Sequence, residues 1–99
     1  MIRVLATIEA TEGRRDDLLA EFRKIIPAVH AEDGCVEYAV WVDLPNNLTE
    51  ERKDVVVCVE KWESLEKLEA HLIAPHMVEF RTATEGLRQG VELEILEEA

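Results

Sequence analysis

Apolar residues alternate with polar ones in four stretches of this chain and recur at helical spacing after the first and third, which restricts the fold to β-α-β-β-α-β. In the first stretch Ile2, Val4, Ala6 and Ile8 alternate with Arg3, Leu5, Thr7 and Glu9, and Thr11-Glu12-Gly13 breaks the pattern. Leu18, Leu19, Phe22, Ile25, Ile26 and Val29 then form one helical face, with Asp16 and Asp17 in the first turn, where the helix dipole favours anions. Pro27 removes one backbone hydrogen bond from this helix and predicts a kink. Gly34 ends the helical region, and a second strand is expected over roughly 35–43, with Val36, Tyr38, Val40 and Val42 on one side.

A polar connection, Leu44-Pro45-Asn46-Asn47 followed by Glu50-Glu51-Arg52-Lys53, leads to a third strand at about 54–62 containing Val55-Val56-Val57-Cys58-Val59. Ser64 suits a helix N-cap, followed by Leu65, Leu68 and Leu72 on one face. Pro75 disfavours helical geometry at Ala74, so the helix should break there and restart, with Met77, Phe80, Thr84 and Leu87 lining the second piece. Val91, Leu93 and Ile95 alternate with glutamates as the last strand.

Closed by right-handed crossovers, this order gives an α+β, ferredoxin-like domain: a four-stranded antiparallel sheet with helices on one face. Neither face is uniformly polar. Leu5 and Thr7 lie opposite the main apolar face of the first strand, the second strand offers Ala39 and Trp41, and the third offers Val56, Cys58 and Trp62. A sheet with two partly apolar faces and helices for only one argues for a homodimer.

The 99 residues fit one domain, 1–99, with no internal repeats. A net charge of −11 with no basic stripe disfavours nucleic acid as a partner. No apolar run reaches the ~20 residues a membrane span needs. The first residues read as a strand and not as a signal peptide, so a cytoplasmic location is expected. Cys35 and Cys58 lie in apolar strand-like runs without CxxC spacing and read as reduced structural thiols.

Four groups of residues occur together: Gly13 opening the first helix, Glu32-x-Gly34-Cys35-x-x-Tyr38 at its end, Glu60-x-Trp62 closing the third strand, and His71-x-x-x-Pro75-His76 across the helix break. Over Val4 to about Ile95 that set resembles the antibiotic biosynthesis monooxygenase (ABM) family of the dimeric α/β-barrel group. The resemblance implies two ferredoxin-like subunits paired through their sheets, each with a pocket between sheet and helices. Several members oxidise quinols or polycyclic phenols with molecular oxygen and without metal or flavin. A deprotonated electron-rich phenol can itself reduce oxygen, so the protein need supply only a base, a dry pocket and charge stabilisation.

The best-understood oxygenase pattern has an asparagine four residues before the strand-three tryptophan and a tyrosine six after it. Trp62 matches, but those positions hold Cys58 and Leu68 here. The haem-degrading branch needs a strand-one asparagine, which is absent.

Candidate site residues follow from chemistry. Glu60 and Trp62 lie two apart on a strand and share a face, so Trp62 can wall an aromatic-binding pocket with Glu60 as a burial-tuned base. Alternatively, Trp62 is a core aromatic and Glu60 is bonded to backbone or a cation. His71 and His76 straddle Pro75 and can converge on one opening as proton acceptors, or brace the broken helix through hydrogen bonds. Metal binding is not expected, because neither HExxH spacing nor a cysteine pair is present. The resemblance implies that Cys58 and Leu68, at the positions of the family's amide and phenol, complete the substrate wall together with Tyr38; Tyr38 also reads as core, and His30 as a residue of the helix C-terminus. The function expected is a cofactor-independent monooxygenase acting on a small aromatic, quinol- or phenol-like molecule with oxygen as co-substrate. The alternative is a non-catalytic dimer that binds a small apolar ligand, which Cys58 and Leu68 would permit.

Overall fold

In a computed structural model, which describes residues 1–99, strand β1 (Ile2–Ala10) sits inside the sheet because both its edges find antiparallel partners. These are β3 (Val55–Trp62) on one side and β4 (Arg88–Leu96) on the other, with β2 (Cys35–Trp41) beyond β3. The order β2-β3-β1-β4 is the ferredoxin-like arrangement expected from the sequence. Helices α1 (Arg15–His30), α2 (Leu65–Leu72) and α3 (Pro75–Ala83) cover one face, and a short 3-10 turn, Glu85–Leu87, leads into β4. No helix is long and apolar enough to cross a membrane.

The register settles which side chains face the helices. Val4, Ala6 and Ile8 stand opposite Glu60, Cys58 and Val56, and these six are buried under Leu18, Phe22, Ile25 and Val29 of α1. Val56, Cys58 and Trp62 therefore belong to the covered face, and strand three gives Val57 and Val59 to the uncovered one, beside Thr7 and Leu5. Across β2 the uncovered rows continue with Trp41 and Ala39. On β4, Val91, Leu93 and Ile95 pair with Ile8, Ala6 and Val4 on the covered side, yet each stays about half exposed because the helix layer does not extend over that edge.

Several expectations shift in detail. Strand β2 stops at Trp41, short of 43. A register shift between Cys35 and Glu37 accommodates one extra residue, Val36, which is exposed; Cys35 and Tyr38, three apart, thereby pair with Trp62 and Glu60 of one face. Pro27 does lie inside α1, as expected, and the helix continues past it to His30. Ser64 caps α2 by accepting from the Lys67 amide at 3.3 Å, but Leu65 and Leu72 remain exposed, since this eight-residue helix buries only Leu68 and His71. The break at Pro75 occurs as expected: Ala74 is extended (φ −61°, ψ 142°) and α3 restarts with the proline in its first turn.

The turn between α1 and β2 depends on Gly34, whose φ is +85°. A methyl group there would also collide with Cβ and Cγ of Lys67, which cannot swing away as a side-chain tip could. Gly13 has a similar φ of +75° but open space around it. Both Gly→Ala changes incur the left-handed backbone penalty of roughly 1–3 kcal/mol. Gly34→Ala should cost more, through Lys67, and thermal melts should rank it below Gly13→Ala. Equal melting temperatures would show that the Lys67 contact carries no weight.

Candidate functional site

Three local devices bring the site together at one end of the covered face. The Gly34 turn is tied to the end of β3, its carbonyl accepting from the Glu63 amide at 2.9 Å, while the Glu32 carbonyl accepts from the Cys35 amide at 3.2 Å. Lys67 pairs with Asp33 across the same junction. The break at Pro75 places His71, in the last turn of α2, and His76, in the first turn of α3, toward that turn.

Glu32 is the residue they meet. A single oxygen, Oε2, lies 2.8 Å from Nδ1 of His71 and 2.8 Å from Nε2 of His76. An ionised carboxylate only accepts hydrogen bonds, so both nitrogens facing it carry protons. In the neutral imidazoles the lone pairs are then left on Nε2 of His71 and Nδ1 of His76. His71 is sealed, with 2 % of its side chain exposed, whereas His76 is 26 % exposed. The His71 ring packs against Trp62, with centroids 4.7 Å apart, and meets Tyr38 edge-on at 5.5 Å.

Behind His71, Trp62 donates its Nε1–H to Oε1 of Glu60 at 2.9 Å, so the residues two apart on the strand satisfy one another. Burial pushes the Glu60 carboxyl above its ordinary value; the Trp62 hydrogen bond and nearby His71 oppose the shift. Burial likewise raises Tyr38 and Cys58, leaving a neutral phenol and a neutral thiol, and lifts Cys35 to about 11. Leu68 is core.

Glu60, Trp62, His71, Tyr38, Cys58 and Leu68 thus all lie in the buried layer, with His76 at its rim. The opening expected beside Trp62 is closed in this conformation, because His71 and the Glu60 bond occupy the indole's surroundings. A hollow of about 280 Å³ does reach His76, between α1 and α3, lined also by Ile25, Ala28 and Phe80. A larger one of about 460 Å³ lies at the strand ends around Arg3, Lys61 and Leu96, and none of these groups lines it. His30 binds the Tyr38 carbonyl through Nε2 at 2.9 Å and takes no part in the cluster. Glu32 was not among the candidate site residues because it lies 39 and 44 positions from its partners, although it stands in the Glu32-x-Gly34-Cys35-x-x-Tyr38 group that carries the resemblance.

Residues 1–83 match the family described as Antibiotic biosynthesis monooxygenase, a match that ends before β4. The chain is 39 % identical over 90 residues to the Probable quinol monooxygenase YgiN of Escherichia coli, covering 87 % of this chain and 86 % of that protein. Among solved structures it resembles PA3566 from Pseudomonas aeruginosa, with a TM-score of 0.85, 26 % identity, and coverage of 99 % of this chain and 93 % of that one. Rv0793 from Mycobacterium tuberculosis superposes with a TM-score of 0.83 at 23 % identity, covering 99 % and 94 %, a likeness of fold.

The raised Glu60 carboxyl makes a pH prediction. The folded chain holds this proton more tightly than the unfolded one, so Glu60 subtracts stability as pH rises past its unfolded value of about 4.3. Glu60→Gln keeps an acceptor for Trp62 and cannot ionise. Its melting temperature should gain on wild type as pH rises from ~4 to ~8. A gap that stays constant across that range would refute the assignment.

Proposed function

The chain belongs to the antibiotic biosynthesis monooxygenase family, and from that premise we propose that it oxidises a small quinol- or phenol-like molecule with molecular oxygen, without flavin, haem or metal. The observation that carries this reading is the imidazole pair held by Glu32 beside Trp62. A neutral imidazole accepts a proton near pH 7 without a large shift, and a carboxylate behind it stabilises the imidazolium that results. The name of the YgiN relative, at 39 % identity, points to the same substrate class.

In this mechanism the hollow at His76 admits the aromatic ring, and a modest rearrangement brings it toward His71 and Trp62. Nδ1 of His76 or Nε2 of His71 takes the hydroxyl proton, Glu32 holds both rings in the required tautomer, and the phenolate gives electrons to oxygen. Tyr38, Cys58 and Leu68 keep the interior dry, and Glu60 orients Trp62. Glu60 is engaged by the indole N–H of Trp62, which makes it the less available base.

Oxygen consumption with a hydroquinone or anthrone-like panel, using metal-stripped protein, tests the proposal. Loss of general-base help typically lowers rates ~10²–10⁴-fold, so His71→Ala/His76→Ala should approach the autoxidation background. Glu32→Gln should lower turnover while leaving substrate affinity largely intact. A double variant as fast as wild type would exclude the imidazoles. No turnover by wild type on a broad panel would favour the second reading, a small-ligand-binding dimer, which rests on Cys58 and Leu68 standing where the oxygenase pattern has an amide and a phenol.

A homodimer is proposed through the uncovered sheet face, where Trp41 is 61 % exposed beside Val57 and Thr7. Light scattering should give twice the 11.3 kDa chain mass. Trp41→Glu should split or unfold the assembly, since it buries an unpaired charge. A monomeric wild type would overturn this association.

A further inference from the structure

We propose that Glu32, His71 and His76 bind one divalent transition-metal ion of the zinc class, and that the bound ion switches off the proton-accepting nitrogens of both imidazoles. The donor atoms, one carboxylate oxygen and two ring nitrogens, all lie within 4.8 Å of one another. Each nitrogen is 2.8 Å from the shared oxygen. Bonds of ~2.0–2.1 Å in tetrahedral geometry put donors ~3.3 Å apart, so each N···O separation has to open by about half an ångström while the two nitrogens, within 4.8 Å of one another, come to the same spacing. Local sequence spacing conceals this set because the carboxylate lies 39 and 44 positions away along the chain.

The setting fits an ion. His71 is gripped between Trp62 and Tyr38, and Glu32 stands on a turn clamped to β3, so two of the three ligands are held in place. The third, His76, faces the hollow between α1 and α3, which provides an entry path. Glu32 and Glu60 both act on this corner, and neither forms a salt bridge with lysine or arginine. Two imidazoles and a carboxylate select zinc, cobalt or nickel over calcium and magnesium, which prefer all-oxygen shells. Three protein ligands leave a further position open, as in sites that exchange their ion or bind a small ligand.

The switch follows from tautomers. With Glu32 as acceptor, the protons sit on Nδ1 of His71 and Nε2 of His76 and the outer nitrogens hold lone pairs. A metal ion needs lone pairs on the inner nitrogens. Each neutral imidazole then carries its proton on the outer nitrogen instead, and no acceptor is left for a phenol. Metal binding itself does not depend on the proposed oxygenase activity; only its effect on turnover rests on that reading.

The probes are Co²⁺ and Zn²⁺ added to chelator-treated, full-length wild-type protein. Calorimetry should give one ion per chain, and Co²⁺ should develop visible ligand-field absorption that a hundredfold excess of Ca²⁺ does not displace. Glu32→Gln, which keeps the shape of the side chain, and His76→Ala, at the rim, should each weaken binding at least tenfold, while His30→Ala leaves it unchanged. Melting curves establish that each variant is folded, and either one alone suffices to decide. Displacement by Ca²⁺, or unaltered affinity in a folded Glu32→Gln or His76→Ala, would assign the ions to the acidic surface and overturn the site.

Nitrogen-15 shifts of the two imidazoles report the switch with or without turnover, and both should pass to the outer-protonated tautomer in the Zn²⁺ form. Unchanged tautomers would overturn the coupling. If metal-free protein consumes oxygen, saturating Zn²⁺ should lower the rate ~10²-fold or more and a chelator should restore it. Undiminished turnover with Zn²⁺ bound would likewise overturn the coupling. A metal-free protein without turnover would count against the oxygenase reading alone, leaving Co²⁺ binding and the imidazole shifts to decide the site.

Discussion

Three short helices can cover only one face of a four-stranded sheet, and most features of this molecule follow from where that cover ends. Over β1 and β3 the cover is complete: Val4, Val56, Leu18 and Val29 lose essentially all contact with water. Over β4 it is not, and Val91, Leu93 and Ile95 stay half exposed although they face the covered side. The opposite face presents Leu5, Ala39, Val57, Val59 and Trp41 with nothing above them. Contiguous apolar surface of this kind is uncommon on a monomer, and the uncovered face is the one that the proposed homodimer would bury.

The cover also ends where α2 breaks before α3, and there the buried layer becomes polar. Leaving a buried donor or acceptor unpaired costs about 1–3 kcal/mol, so such groups persist only when matched. Here the matching is reciprocal: Trp62 meets Glu60, and His71 and His76 meet Glu32, with no buried side-chain polar atom left over. Bracing and chemistry are therefore not rival explanations for this corner. The hydrogen bonds that steady the broken helix also hold the imidazoles in one tautomer, which is what a proton acceptor requires.

The elements whose evidence is local were legible in the sequence. Period-two stretches became strands, Ser64 became a cap, and Pro75 marked a break because its ring restricts the residue before it. What eluded sequence reading depends on pairing across the fold. Parity alone could not say that Val56, Cys58 and Trp62 face the helices, because both parities of strand three are apolar. The extra residue at Val36, which lets Cys35 and Tyr38 share a face, leaves no mark in composition. His71, His76, Glu60 and Trp62 were singled out from residue type and spacing. The carboxylate that joins the histidines stood in one of the resembling motifs, but its pairing with them exists only once the Gly34 turn is tied to β3.

Cys58 and Leu68 sharpen the chemical question. At those positions the resembled oxygenase pattern has an amide and a phenol, but here both side chains are packed into the core, 1 % and 2 % exposed. Burial keeps the Cys58 thiol and the Tyr38 phenol protonated, so neither serves as a base near neutrality. Glu60 is enclosed behind Trp62. Of the candidate groups around the indole, the imidazole of His76 is the one that reaches the surface, and Glu32 links it to His71 in the interior. In the oxidation proposed above a substrate proton would leave through the histidines, and in the proposed metal switch an ion on the nitrogens facing Glu32 would close that route.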